Sequence, residues 1–245
     1  MPIKTILQQD VFQFILQTHL VEKIPCTISD IMGTAQKTKK HPHALGHLLA
    51  FTYLTSLIDK QDFPVRDATQ LNNKFRSEQA AFWIKETHIK MLAPILDDPT
   101  NEIDGNGVTR GRLGVYRTTP ADNTLCQAPP PQLIPAIMRN WLLELGTIHN
   151  KIKTNLDNPY GISKETYNEM KTTTDDIPLF FTTVQPFLQA NNRLGRLISQ
   201  ALKLAWRLKT EWNVTNQYDK FKENLGEYQA NKLPTITQNA RNLKF

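Results

Sequence analysis

The sequence predicts an all-α domain interrupted by one short β-hairpin. Three observations carry that expectation. Leu194, Leu197, Ile198, Ala201, Leu202, Ala205 and Leu208 fall on one face of a helix expected from about 192 to 211, a buried stripe with the 3.6-residue period. The same period recurs in shorter stretches along most of the chain. Glycines concentrate in only one place, at positions 105, 107, 111 and 114, where turns and a short strand at Val115-Tyr116 are expected. The 245 residues suffice for one domain with an appendage. At 40% hydrophobic and 21% charged residues the chain is not a disordered one. Two cysteines, Cys26 and Cys126, exclude a disulfide scaffold and a Cys-rich zinc site.

In chain order, Val11 to Leu20 repeats as a helix, Pro25 interrupts it, and Thr27 or Ser29 is placed to cap a following turn. Lys37 to Lys40 is a basic connector ending in His41-Pro42-His43. Helices follow over Ala44 to Leu57 and Lys74 to Ile95. Helical periodicity returns from Pro135 to Ile152, and Pro159 and Gly161 end it. A short helix, Ile162 to Met170, is capped by Ser163; the segment Asp175 to Phe187 is a separate piece, with Asp175 and Asp176 as a helix N-terminal charge pair. A last helix is expected over Gln217 to Gln229.

Charge divides the chain unevenly. The net charge of +6 lies wholly within 193–245, which holds 10 basic and 4 acidic residues. No Lys/Arg block marks a nucleic-acid tail, and a solvated helix face accounts for this excess. The longest apolar stretch, Ala44 to Ile58, is too short and too polar for a membrane span. The first residues lack the apolar run of a secretory signal, which suits a bacterial cytoplasmic protein or an effector delivered by a dedicated secretion machine.

The informative segment is Gln185-Pro186-Phe187-Leu188-Gln189-Ala190-Asn191-Asn192-Arg193-Leu194-Gly195-Arg196. It places a small residue and two asparagines at the mouth of the best helix, where first-turn N–H groups lack intrahelical partners and attract anions. Arg193 and Arg196 share one side of that turn and suit a phosphate. An ordinary capped helix whose arginines pair with acidic neighbours is equally consistent with these residues.

The same twelve residues resemble a degenerate Fic motif, HPFx(D/E)GNGRxxR. Pro186, Phe187, Asn191, Arg193 and Arg196 match, and Ala190 and Asn192 replace the two glycines. The Doc branch of the family has a similar Ala-Asn-Lys-Arg turn. Upstream, Gly114-Val115-Tyr116-Arg117-Thr118 resembles the GxYR start of the family's flap hairpin. Ala128 to Pro131 followed by Ile134 to Leu142 resembles its proline-led helix. The resemblance divides the chain into an N-terminal helical extension (1–79), a Fic-like domain (80–212) and a basic C-terminal helix or tail (213–245).

The resemblance implies a transferase that moves AMP from ATP, or another phosphate-linked group, onto a hydroxyl of a target protein. It implies phosphate or nucleotide binding at Ala190, Asn191, Asn192, Arg193 and Arg196, and a target protein docked on the flap at Tyr116, Arg117 and Thr118. It also implies magnesium on the motif's acidic residue. The chain departs from the family at the residues that do chemistry. Gln185 stands at the histidine position, and an amide orients a hydroxyl without accepting its proton. Gln189 stands at the acidic position and is a poor ligand for a hard cation. Two functions therefore stand open: a divergent transferase using ATP or another nucleotide-activated donor, and a catalytically inactive module binding a nucleotide or partner protein.

Other patterns are weaker. Asp104-Gly105-Asn106-Gly107 spells part of the motif but reads as a turn. His43 and His47 have metal-ligand spacing, with His41 and His88 as further donors, yet a structural pair fits better. His149 reads as a structural histidine, and Cys126 has no adjacent base. Asp219-x-x-x-Glu223-Asn224 resembles the family's inhibitory (S/T)xxxE(G/N) helix without its hydroxyl, and a solvated helix is preferred.

Overall fold

The computed structural model describes residues 8–59, 81–98, 108–121, 127–156, 161–208 and 218–242. These form eight α-helices: α1 (Gln8–Val21), α2 (Ile28–Ala35), α3 (Pro42–Asp59), α4 (Phe82–Leu96), α5 (Ile134–Leu156), α6 (Lys164–Val184), α7 (Asn191–Ala205) and α8 (Tyr218–Asn242). No strand occurs among the described residues. The all-α expectation holds, and the expected β-hairpin is corrected. Residues 115–118 run without regular structure, entered by a 3-10 turn at Arg110–Arg112, and the backbone N–H of Arg117 donates to the carbonyl of Pro186 at 2.9 Å. Cys126 and the Asp104–Gly107 turn lie outside the described residues.

Local signals explain several boundaries. Thr27 caps α2 in a reciprocal box: its hydroxyl accepts from the Asp30 N–H, and the Asp30 carboxylate accepts from the Thr27 N–H at 2.9 Å. Ser163 caps α6 by accepting from Thr166 N–H. The helix expected to end at Met170 instead continues to Val184, through Pro178. Asp175 and Asp176 are therefore mid-helix, and Asp175 pairs with Lys171 and Lys203. Proline has no N–H for the carbonyl four residues earlier, that of Thr174. The buried Ser199 hydroxyl of α7 donates to that carbonyl at 2.6 Å, so the neighbouring helix supplies the missing donor. α7 ends at Ala205, before the expected 211, and α8 runs on to Asn242.

One hydrophobic cluster joins Val11 and Phe14 of α1 to the α7 stripe and to Ala240 of α8, so the N-terminal and C-terminal helices share a single core. α3 lies against α4 closely enough that a Cβ on Gly46 would overlap the Met91 carbonyl, which is why a glycine sits there. That approach brings the N-terminal layer onto the same side as the start of α7.

Replacing Ser199 by alanine leaves the Thr174 carbonyl buried without a donor. Ser199→Ala should lower stability by about 1–3 kcal/mol. The check is a urea unfolding curve with an unchanged slope and a lower midpoint.

Candidate functional site

The loop between α6 and α7 is built on two left-handed residues. Gln185, at the end of α6, has φ 47° and ψ 63°, and its N–H donates to the Phe181 carbonyl. Ala190, at the start of α7, has φ 62° and ψ 12°. A non-glycine residue in this region is strained by about 1–2 kcal/mol, and surrounding contacts must hold it. Asn191 supplies one of them: its side-chain oxygen accepts from the Phe187 N–H at 3.0 Å, and its amide donates to the Phe187 carbonyl at 2.8 Å. Asn191 thus closes the loop with its side chain.

Arg117 holds the loop from the other side. It is only 3% exposed, and its guanidinium donates to the carbonyls of Gln185, Thr119, Pro129 and Val184. A guanidinium engaged with four backbone carbonyls positions the loop, whereas the expectation put it on the target-binding surface. Thr118 and Val115, beside it, are exposed. Tyr116 packs on Phe187 with ring centroids 5.5 Å apart, under the Lys85 ammonium, and burial pushes its hydroxyl pKa up.

His88 of α4 completes the support. Its Nδ1 accepts from the Gly114 N–H at 3.1 Å, so Nε2 carries the proton and donates to the Gln189 carbonyl at 3.2 Å. Its ring stacks on Phe187 at 4.2 Å. Burial lowers its pKa to about 4, so it is neutral at pH 7. Gly114 has φ 67° and sits against Ile89, a place where only glycine fits easily.

At the mouth of α7, no side chain caps the helix at Ala190, and Asn192 keeps a buried side-chain oxygen without a hydrogen-bond partner. Arg193 and Arg196 are each 8% exposed, and their charges help depress nearby histidines. The Arg193 guanidinium donates to His43 Nδ1 at 3.4 Å. Arg196 donates to the Glu22 carboxylate at 2.7 Å, from just beyond the end of α1. Behind them His19 Nε2 and His47 Nδ1 lie 2.7 Å apart, one donating to the other. Burial, reinforced by Arg193 and neighbouring histidines, lowers His19 to about 3 and His47 well below its usual value.

Sequence reasoning does not single out Glu22 or His19, and it names His88 only as a further metal donor. For Glu22 a signal existed: Thr18-x-x-x-Glu22 has the spacing of the (S/T)xxxE pattern that was sought at Asp219 to Asn224. Glu223, by contrast, is exposed on α8, as a solvated helix requires. His149 accepts from the Trp206 indole N–H at 3.0 Å, a structural role. Gln185 and Gln189 are both half-buried in the loop, and neither has a carboxylate's charge to hold a divalent cation.

Neither family models nor curated protein sequences give a match to the chain. Among solved structures, the crystal structure of a Fic family protein from Desulfovibrio desulfuricans G20 is similar at a TM-score of 0.55 with 14% sequence identity. The similarity covers 95% of this chain and 62% of that one, so the chain spans about three-fifths of that protein's length. The fold is Fic-like and all-α.

Buried neutral histidines make stability fall in acid. The unfolded chain takes up protons as pH drops below about 6.5, whereas folded His88 does so only near pH 4. Stability is full above that window and declines through it. Between pH 7.5 and 5, His88 alone should account for roughly 2 kcal/mol. Urea unfolding at the two pH values tests this, and His88→Gln should show a shallower pH slope.

Proposed function

We propose that this Fic-fold chain binds a phosphate-linked ligand, of the nucleotide class, at the N-terminus of α7, and that Glu22 occupies part of that site in the unliganded chain. The observation that carries the reading is the pair Arg193 and Arg196. Both are buried at an uncapped helix mouth, and Arg196 is held by a carboxylate that reaches it from outside the loop. A phosphate accepts the planar, paired hydrogen bonds that guanidinium groups donate. Helix N–H groups and Asn192 supply the remaining polar contacts.

The loop does not support ordinary AMP transfer. A general base within reach of the acceptor hydroxyl typically contributes a factor of about 10² to 10⁴, and the Gln185 amide has no basicity to offer. Gln189 in place of a carboxylate does not fit magnesium, and no step is assigned to that ion. The binding module is therefore the preferred reading. One observation favours the second, a divergent transferase acting on a protein hydroxyl. Val115 is 50% exposed and Thr118 is exposed on an arm tied to the motif loop through Arg117, an edge along which an acceptor segment can lie.

Calorimetric titration with ATP and a panel of nucleotide-activated donors, with and without magnesium, tests the proposal. Glu22→Gln should tighten binding by about tenfold, because the carboxylate no longer competes for Arg196. Arg193→Ala should remove binding. If Glu22→Gln binds none of the donors, the phosphate reading fails.

A second experiment separates the two functions. Glu22→Gln combined with Gln185→His and Gln189→Asp should create transfer of labelled AMP to protein where the Glu22→Gln chain shows none. Labelling by the unaltered loop, lost in Arg193→Ala, would establish the transferase instead.

A further inference from the structure

The N-terminal layer gathers metal-binding side chains out of proportion to the rest of the chain. Four of the six histidines, His19, His41, His43 and His47, lie together there. Three residues on its flank, Cys26, Asp30 and His41, each place a donor atom within 4.8 Å of the other two. They come from three different places: Cys26 from the α1–α2 connection, Asp30 from the first turn of α2, and His41 from the residue before α3. We propose that Cys26, Asp30 and His41 form a site for a single divalent cation of the zinc class, with a fourth coordination position open to solvent.

The donor set fits that ion. A thiolate, a carboxylate and an imidazole are the three ligand types zinc takes, and the two anions balance its charge. A tetrahedral ion holds its donors about 3.5 Å apart, and the three donor atoms already lie within 4.8 Å of one another. Every member is half-buried, so water and ion have access.

The hydrogen bonds around the triad leave its donor atoms weakly engaged. His41 Nδ1 accepts from the Ala44 N–H at 3.3 Å, so the proton sits on Nε2, which donates to the Pro25 carbonyl at 2.8 Å. A ligand histidine with its far N–H on a backbone carbonyl is the usual outer support of a metal site, and coordination through Nδ1 keeps that arrangement for His41. Asp30 uses Oδ2 for both bonds to Thr27, while Oδ1 faces the exposed Lys39 ammonium at 3.3 Å. Such an exposed pair contributes little and is readily displaced. The Cys26 thiol makes a 3.7 Å contact to the Thr27 carbonyl.

An ion here joins the start of α2 to the start of α3, whose first turn carries His43 to Arg193. The site is distinct from the phosphate site and does not rest on it.

Titration of the full chain with Co2+ under reducing conditions tests the proposal. The expected result is a saturable visible spectrum of tetrahedral cobalt with a thiolate charge-transfer band, complete at one ion per chain and abolished by Zn2+. Cys26→Ser should remove the charge-transfer band, and Asp30→Asn should weaken binding at least tenfold while keeping the Thr27 cap. Cys126→Ser should leave the spectrum unchanged. Far-UV circular dichroism of each variant confirms that it is folded. A spectrum that follows Cys126 rather than Cys26, or no saturable band from the unaltered chain, overturns the proposal.

Discussion

The site rests on the guanidinium of Arg117. A loop that turns through left-handed residues at both ends cannot satisfy its own carbonyls with the regular bonds of a helix. Arg117 brings donors in a planar fork to carbonyls on both sides of the loop, those of Val184 and Gln185 at the end of α6 and that of Pro129 ahead of α5. Its backbone N–H adds the carbonyl of Pro186. One buried residue thus fixes the exit of α6, the extended arm and the entry to α5 relative to one another. His88 repeats the arrangement at the other end of the loop, holding Gly114 and Gln189 through its two ring nitrogens. The strain at Ala190 persists because both of its flanks are held.

The charge at the mouth of α7 follows from the same packing. His43 at the start of α3 and Glu22 just beyond α1 reach the two buried arginines, with His19 and His47 behind them. The histidines stay neutral because burial and the arginine charges both oppose their protonation. Glu22 compensates Arg196, but its side chain is itself 22% exposed and lies at the edge of the cluster. The dipole of α7 adds to the positive potential of the two arginines at this helix end.

The sequence was most legible where local periodicity and burial coincide. The stripe from Leu194 to Leu202 identified α7, Thr27 and Ser163 marked their helix starts, and the residues of 185–196 marked the loop. It was least legible where a distant residue overrides a local signal. The sequence reading ends a helix at Met170, yet α6 continues through Pro178 to Val184, and Ser199, 21 positions after that proline, supplies the donor that the proline leaves missing. Val115-Tyr116 has strand-like residues, yet Arg117 bonds to a loop and not to a neighbouring strand. Glu22 is 174 residues from Arg196, and no pattern within 185–196 points to it.

Gln185 shows why loop geometry and loop chemistry separate. The left-handed turn there depends on the Gln185 N–H donating to the Phe181 carbonyl and on its carbonyl accepting from the Arg117 guanidinium, neither of which involves the side-chain amide. A histidine and a glutamine therefore meet the same backbone demands at this position. What changes is the proton: an imidazole takes one from a hydroxyl near neutral pH and an amide does not. Asn191, Arg193 and Arg196 are different in kind, because they are packing residues, buried and bonded within the chain. Substituting them disturbs the loop itself, whereas substituting the base leaves it standing. The loop of this Fic-like fold therefore keeps its geometry with a glutamine at the position where the proton would be taken.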